Sequence, residues 1–276
     1  MDNHKINSIF NLTGQVAVVT GGAGVLCSGL CRMLATEGAK VAVLDINVQA
    51  AEALVTEICS SGGEAIGLAC NVLEKGSVEL AAKEILAAFG RVDILLNGAG
   101  GNKPQATTNA GMSFFDLPAE ALRWVFDLNL MGIILPSQVF GKIMAEQKKG
   151  VILNFSSMNS YRPLTRIPAY SAAKAAVSNF TQWLAVDMAQ NYSPEIRVNA
   201  IAPGFLVGEQ NRRLLLNEDG SLTPRGQAII NHTPLGRFGV PEDLFGTVLW
   251  LLSPASAFVT GIIVPIDGGF AAYGGV

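Results

Sequence analysis

The sequence predicts one α/β domain, a doubly wound parallel sheet with helices on both faces. Three observations carry this. Short apolar runs of strand length recur along the chain, helix-forming stretches rich in Ala, Glu, Leu and Lys separate them, and no linker, repeat or compositional shift divides the 276 residues. Strands that are apolar on both faces suit a sheet covered on both sides, and their alternation with helices makes parallel crossovers the natural connection. Half of the residues are hydrophobic, enough for one large core at this length.

VAVVT (16–20) reads as the first strand, followed by KVAVLD (40–45), EAIGLAC (64–70), DILLN (93–97), GVILNFSS (150–157) and IRVNAIA (196–202). Between them SGLCRMLATEG, VQAAEALVTEICSSGG and EKGSVELAAKEILAAFG favour helices by composition and periodicity, and YSAAK starts another that continues as AAVSNFTQWLAVDMA. The most apolar region, 246–266, has the length of a membrane span, yet Ser253, Pro254 and Ser256 interrupt it. It reads as a buried helix, a turn and a last strand, GIIVPI. The segment at about 205–233 breaks the alternation and reads as an insertion over the sheet edge, placed to cover a substrate.

Charge and cysteine usage exclude several classes. With 19 basic and 22 acidic residues the net charge is -3, and no run of Lys and Arg would track a phosphate backbone or an anionic membrane. Neither nucleic acid nor membrane is expected as a partner. The N-terminus has no apolar stretch of signal-peptide length, and Cys27, Cys31, Cys59 and Cys70 form no CxxC pair, which fits a reducing cytoplasm. His4 and His232 stand apart, so no metal site is expected.

Ligands of a doubly wound sheet bind outside the carboxyl ends of its strands. After the first strand, Gly21, Gly22 and Gly24 let the backbone turn towards a pyrophosphate, whose charge the helix N-terminus at Val25 and Leu26 would stabilise. Asp45 ends the second strand, about 25 residues on, where a carboxylate accepts from both ribose hydroxyls of NAD and repels the 2′-phosphate of NADP. NAD is therefore the expected cofactor. Tyr170 and Lys174 share a helix face at a spacing of four, and an ammonium beside a phenol favours its ionised form. Ser157 ends the fifth strand, 13 residues before Tyr170, and can polarise a substrate oxygen.

The TGGAG turn, NGAG at 97–100, Asn129 in DLNLMG, the Ser157 to Tyr170 spacing, YSAAK, Pro203-Gly204, RFGVPED and VPIDGG occur in order over nearly the whole chain. Together they resemble the short-chain dehydrogenase/reductase family. The resemblance implies a Rossmann-type fold and hydride transfer between nicotinamide and a carbonyl or alcohol carbon. It makes Tyr170 the acid or base, with Lys174 lowering its pKa and holding the nicotinamide ribose. Ser157 would orient the carbonyl, and Asn129 would support a relay water through its backbone. It assigns Asn97, Gly98, Ala99 and Gly100 to the sheet and cofactor floor, Asn71 and Val72 to the neighbourhood of the adenine, and Pro203 and Gly204 to the cofactor. It also implies a homo-oligomer, a tetramer, for which the apolar segment 262–276 would be a packing surface. Three positions depart from the family pattern: Val25 and Cys27 stand where TGxxxGxG has glycines, and Gly208 where Thr is common.

Polar residues follow several of the strands that should frame the pocket. Lys103, Asn159, Arg162, Arg166, Gln210 and Arg213 are candidates to meet the hydroxyls and carboxylate of a hydroxylated acid, where a steroid or fatty-acyl pocket would be more apolar. SSMNSYRPLTRIPAY, PGFLVGEQN and LLLNEDGSLTPRGQ resemble a sugar-acid branch of the family. The rival readings are a gluconate 5-dehydrogenase-like enzyme, a 3-oxoacyl-carrier-protein reductase-like enzyme, and a regulator that senses NAD without chemistry. Intact Ser157, Tyr170 and Lys174 argue against the last.

Overall fold

The computed structural model describes residues 8–275, with the side chains of 209–211 outside that description. Among the described residues, seven parallel strands form one sheet in the order β3-β2-β1-β4-β5-β6-β7. They are β1 (Val16–Thr20), β2 (Lys40–Asp45), β3 (Glu64–Ala69), β4 (Ile94–Asn97), β5 (Gly150–Phe155), β6 (Ile196–Pro203) and β7 (Ile263–Ile266). The chain starts mid-sheet, winds out to β3, then returns beside β1 and winds out the other way. That reversal between β1 and β4 opens the crevice in which a Rossmann-type fold binds its ligand.

The helices are α1 (Val25–Thr36), α2 (Val48–Ser60), α3 (Lys75–Phe89), α4 (Ala119–Phe126), α5 (Gly132–Gln147), α6 (Pro168–Asn191), α7 (Glu209–Leu215), α8 (Pro224–Asn231) and α9 (Phe245–Leu252). Successive residues of β1 point to opposite faces, and both faces are roofed. Ala17 and Val19 pack with Leu30, Leu34, Leu54 and Leu251 from α1, α2 and α9. Val16 and Val18 pack with Ile85, Phe140, Met144 and Leu184 from α3, α5 and α6. Each such aliphatic side chain contributes about 1.5–3 kcal/mol on burial, which is why the strands read as unbroken apolar runs. The edge strand β3 is less enclosed, with Glu64 and Ala69 exposed.

The apolar region 246–266 divides as expected, into α9, a turn at Pro254–Ser256 and β7. A second run, Ala119–Gln147, is long and apolar enough to cross a membrane by length and composition. A π turn at Asp127–Met131 interrupts it, and Ile133, Phe140 and Met144 are fully buried. The segment 205–233 supplies α7 and α8, joined through a bridge of Leu216 with Leu222. Leu215 and Ile229 bury against Met158 and Phe270, which holds the insertion beside the carboxyl end of the sheet.

Candidate active site

A cavity of about 320 Å³ lies at the carboxyl end of the sheet, lined by Val25, Leu26, Gly98, Gly100, Ser157, Tyr170, Lys174, Pro203 and Gly204 among others. They come from five places: the start of α1, the loop after β4, the end of β5, the start of α6 and the end of β6. Ser157 leaves β5 in extended backbone, and its Oγ accepts from the amide of Asn159 at 3.3 Å. Pro168 occupies the first turn of α6, where its fixed φ suits the helix start and its missing N–H is not needed. Tyr170 and Lys174 therefore follow on successive turns of a rigid, 24-residue helix. Tyr170 and Ser157 line the same cavity, and Ser157 acts on the phenol's ionisation.

The electrostatics differ from the expectation in one respect. Burial pushes the Tyr170 phenol above its ordinary value, and the Ser157 hydrogen bond opposes that shift. The ammonium was expected to dominate; instead Lys174 Nζ lies 5.5 Å from the tyrosine ring centre and donates to the Phe155 carbonyl at 2.7 Å. Burial also lowers Lys174 itself, to about 8, while the nearby Cys27 pulls the other way. Desolvation wins at both residues because both charged forms lose water on one packed wall.

Asn129 has a larger part than its expected backbone role. Set in the π turn and fully buried, its Nδ2 donates to the carbonyls of Val125 at 2.8 Å and Gly101 at 2.6 Å, and its Oδ1 accepts from the Gly101 amide at 3.1 Å. The side chain thus latches the loop after β4 to α4. A Cβ at Gly100 would lie 2.9 Å from Asn129 Oδ1 and 3.3 Å from Lys174 Nζ, so the loop crosses the lysine closely only as glycine.

The residues of the turn fit a dinucleotide. Gly21 has φ +61, and a Cβ there would lie 2.8 Å from the Ala99 Cα, so the turns after β1 and β4 press together. Gly22 is packed as closely, its missing Cβ facing Val43 Cγ1 at 2.8 Å. Gly24 precedes α1, whose N-terminus no side chain caps, leaving first-turn amides for an anion. Asp45 Oδ2 accepts from the Ala23 amide at 3.1 Å and Oδ1 from Asn47 at 2.9 Å. The carboxylate is thereby fixed at the edge of the turn with lone pairs left for ribose hydroxyls.

Asn71, Val72 and Asn97 make contacts within the protein itself. Asn71 spends its amide on its own loop, donating to Glu74 at 2.8 Å and accepting from Leu73 at 3.1 Å, and Val72 is buried in the core against Gly132. Asn97 is fully buried and donates to Asn154 at 2.9 Å and Ser137 at 3.0 Å, while Asn154 donates to Thr181. This ladder ties β4, β5, α5 and α6 beneath the cavity rather than reaching into it. The Cys27 departure is matched across the cleft: a Cβ at Gly98 would sit 2.2 Å from its sulfur. The thiol fills the space that any residue but glycine at 98 would need, and burial pushes it up to about 12, too high for a reactive thiolate near neutrality.

The substrate candidates are not gathered at the catalytic residues. Asn159 and Arg166 line a neighbouring cavity of about 580 Å³ with Thr108, Phe114 and Ser171, where none of Ser157, Tyr170 and Lys174 appears. Arg166 has φ +75, and its carbonyl accepts from the Thr108 amide at 2.9 Å. Lys103 Nζ stacks 4.7 Å from the Trp124 ring centre, and Arg162 and Arg213 are exposed. The Gln210 side chain lies outside the described residues. The catalytic cavity instead takes Phe155, Phe205 and Leu206 into its wall, apolar residues that polarity-based reasoning passed over.

A sequence family described as Enoyl-(Acyl carrier protein) reductase matches residues 13–271. An uncharacterized oxidoreductase, UxuB, of Bacillus subtilis is 50% identical over 275 residues, covering 96% of this chain and 98% of its own. A crystal structure from Haemophilus influenzae with bound NAD, provisionally named a D-mannonate oxidoreductase, superposes with a TM-score of 0.92 at 47% identity, covering 98% of this chain and 100% of that one. A 7α-hydroxysteroid dehydrogenase complexed with NADH and 7-oxo glycochenodeoxycholic acid superposes with a TM-score of 0.85 at 31% identity, covering 98% of each chain.

Proposed function

The chain belongs to the short-chain dehydrogenase/reductase family, as an NAD-dependent oxidoreductase of CH–OH groups, and we propose that its substrate is a sugar acid of the D-mannonate/D-fructuronate type. The convergence of Ser157, Tyr170 and Lys174 on one cavity at the carboxyl end of the sheet carries the chemistry. The likeness over the whole chain to the structure named a D-mannonate oxidoreductase supports the substrate.

Bound NAD supplies the hydride acceptor, and NADH the donor. The Tyr170 hydroxyl gives its proton to the substrate oxygen in reduction and takes it back in oxidation. Ser157 Oγ holds that oxygen beside the phenol, a reading supported by the two side chains lining one cavity. Lys174, one helical turn from Tyr170, supplies the positive charge that favours phenolate and binds the nicotinamide ribose. Gly21, Gly22, Gly24 and the amides of Val25 and Leu26 hold the pyrophosphate. Asp45 takes the ribose hydroxyls and favours NAD over NADP by repelling a 2′-phosphate. Gly98, Ala99, Gly100, Pro203 and Gly204 form the floor, and Asn129 keeps the loop beside it in place.

One observation favours a second reading. The apolar wall of Phe155, Phe205 and Leu206 would suit a larger apolar carbonyl compound, such as a steroid or acyl thioester. Initial rates of NADH oxidation at 340 nm with D-fructuronate, 5-keto-D-gluconate, a 3-oxoacyl thioester and a 7-oxo bile acid separate the readings. The sugar-acid reading requires the highest kcat/KM with D-fructuronate. Preference for an apolar carbonyl moves the substrate to the second reading, and NADH binding without turnover of any compound leaves the sensor.

The same reading includes a homo-oligomer, a tetramer, in a cytoplasmic setting. Besides the C-terminal segment, a groove between α5 and α6 lined by Phe180, Trp183 and Leu184 supports self-association, with Trp183 and Val186 exposed nearby. The exposed free thiol of Cys59 suits a reducing compartment. Light scattering at micromolar concentration checks the assembly, and a monomer mass contradicts it.

A further inference from the structure

The turn after β1 and the loop after β6 meet at the wall of the catalytic cavity, and the contact is between a valine and a glycine. Val25, the first residue of α1, and Gly208, just before α7, both line the cavity that holds Ser157, Tyr170 and Lys174. A Cβ built on Gly208 would lie 2.7 Å from Val25 Cγ1 and 3.5 Å from Val25 Cβ. The first distance is an overlap, and the second is ordinary contact.

Neither side is free to withdraw. The loop is fastened by the Val207 amide to the Gly239 carbonyl at 3.0 Å and by the Gly239 amide to the Phe205 carbonyl at 2.9 Å, while the Gly208 carbonyl accepts from Arg212 in the first turn of α7. Val25 follows a turn closed by Gly24 donating to Gly21 at 3.0 Å, and its β-branched side chain has few rotamers at a helix start. We infer that Val25 and Gly208 form a matched large–small pair that seats the loop after β6 and α7 against the pyrophosphate turn. Both are positioning residues for the dinucleotide. The γ-methyl of Val25 occupies the space that a side chain at 208 would take, so the two positions tolerate bulk only in exchange.

The inference rests on the assignment of this cleft to NAD, which a variant outside the pair checks separately. Dissociation constants for NADH, from fluorescence titration of the parent, Gly208→Ala, Val25→Ala, the double variant V25A/G208A and Asp45→Ala, give the test. Gly208→Ala is expected to weaken NADH about tenfold, the scale of overpacking one methyl between fixed backbones. V25A/G208A removes the clashing methyl and is expected to bind within about twofold of the parent, because its two Cβ atoms then sit at ordinary contact. Thermal midpoints of the cofactor-free variants report any general loss of folding, which the double variant would not reverse selectively for NADH. The pair is overturned if Gly208→Ala binds NADH like the parent, or if the double variant binds no better than Gly208→Ala. Weakening by Asp45→Ala alone would keep the cleft assignment and remove the pair, whereas no effect from either variant would remove both.

Discussion

The floor and the rim of the catalytic cavity are built by opposite means. Ser157, Asn129 and Lys174 are buried on the end of β5, the π turn and α6, each tied by hydrogen bonds to backbone groups that the fold itself positions. The half-buried Lys103 and the exposed Arg162, Arg166 and Arg213, which the polar pattern nominated for substrate, sit on loops or a short helix outside the lining of the catalytic cavity. The difference teaches that the reaction type is written into packed elements, while substrate choice depends on groups that packing constrains weakly. A substitution in the floor should therefore damage chemistry, and one in the rim should at most change affinity.

Tyr170→Phe should break the floor most severely. It keeps the ring and removes the hydroxyl, so turnover should fall by about 10² or more while NADH titration stays at the parental value. Parental turnover in both directions would end the tyrosine mechanism. Asn129→Ala comes next, because it removes the hydrogen bonds that the side chain makes to the Gly101 amide and carbonyl and to the Val125 carbonyl. Each buried group left unpaired costs about 1–3 kcal/mol, which should appear as a lower melting temperature. Release of the loop beside Lys174 should also reduce kcat by about tenfold or more. Unchanged kcat and melting temperature would show that the latch is idle.

The pH dependence tests the charge on the floor. Lys174 is lowered to about 8, so its ammonium is present below that pH and lost above it, while the phenol, raised by burial, keeps its proton. For reduction, kcat/KM should be level at neutral pH and decline above about pH 8 as the lysine discharges; a profile level to pH 10 would remove it from the proton-transfer step. The smallest effects belong to the rim. Arg162→Ala and Arg213→Ala should change KM by less than about threefold, as expected of exposed charges screened by water. A tenfold rise in KM at either position would show that the rim closes onto substrate.

Strand positions were legible because two roofed faces leave an uninterrupted apolar signature; all seven runs recur as strands, with no boundary moved by more than two residues. Tyr170 and Lys174 were legible for a similar reason, since helical spacing alone puts them on neighbouring turns. The contacts that explain the departures were not. The departure at Cys27 looks unrelated to the motif glycine Gly98 until β1 and β4 are laid side by side and the missing Cβ of one faces the sulfur of the other. The aim of Lys174 at the Phe155 carbonyl and the positive φ of Arg166 depend on three-dimensional partners as well, which no spacing encodes. Residue polarity misjudged the cavity wall because Phe205 and Leu206 reach it through a loop pinned to Gly239, away from any periodic element.

The most direct test follows the hydride itself. The protein would be incubated with D-fructuronate and NADH carrying deuterium at both positions of the reactive nicotinamide carbon, and the sugar acid analysed by mass spectrometry for the parent and Tyr170→Phe. The account predicts D-mannonate bearing one deuterium on its new alcohol carbon, formed in step with NADH loss by the parent and at least about 10² more slowly by the variant. Product without deuterium, or equal rates from the two proteins, would contradict it.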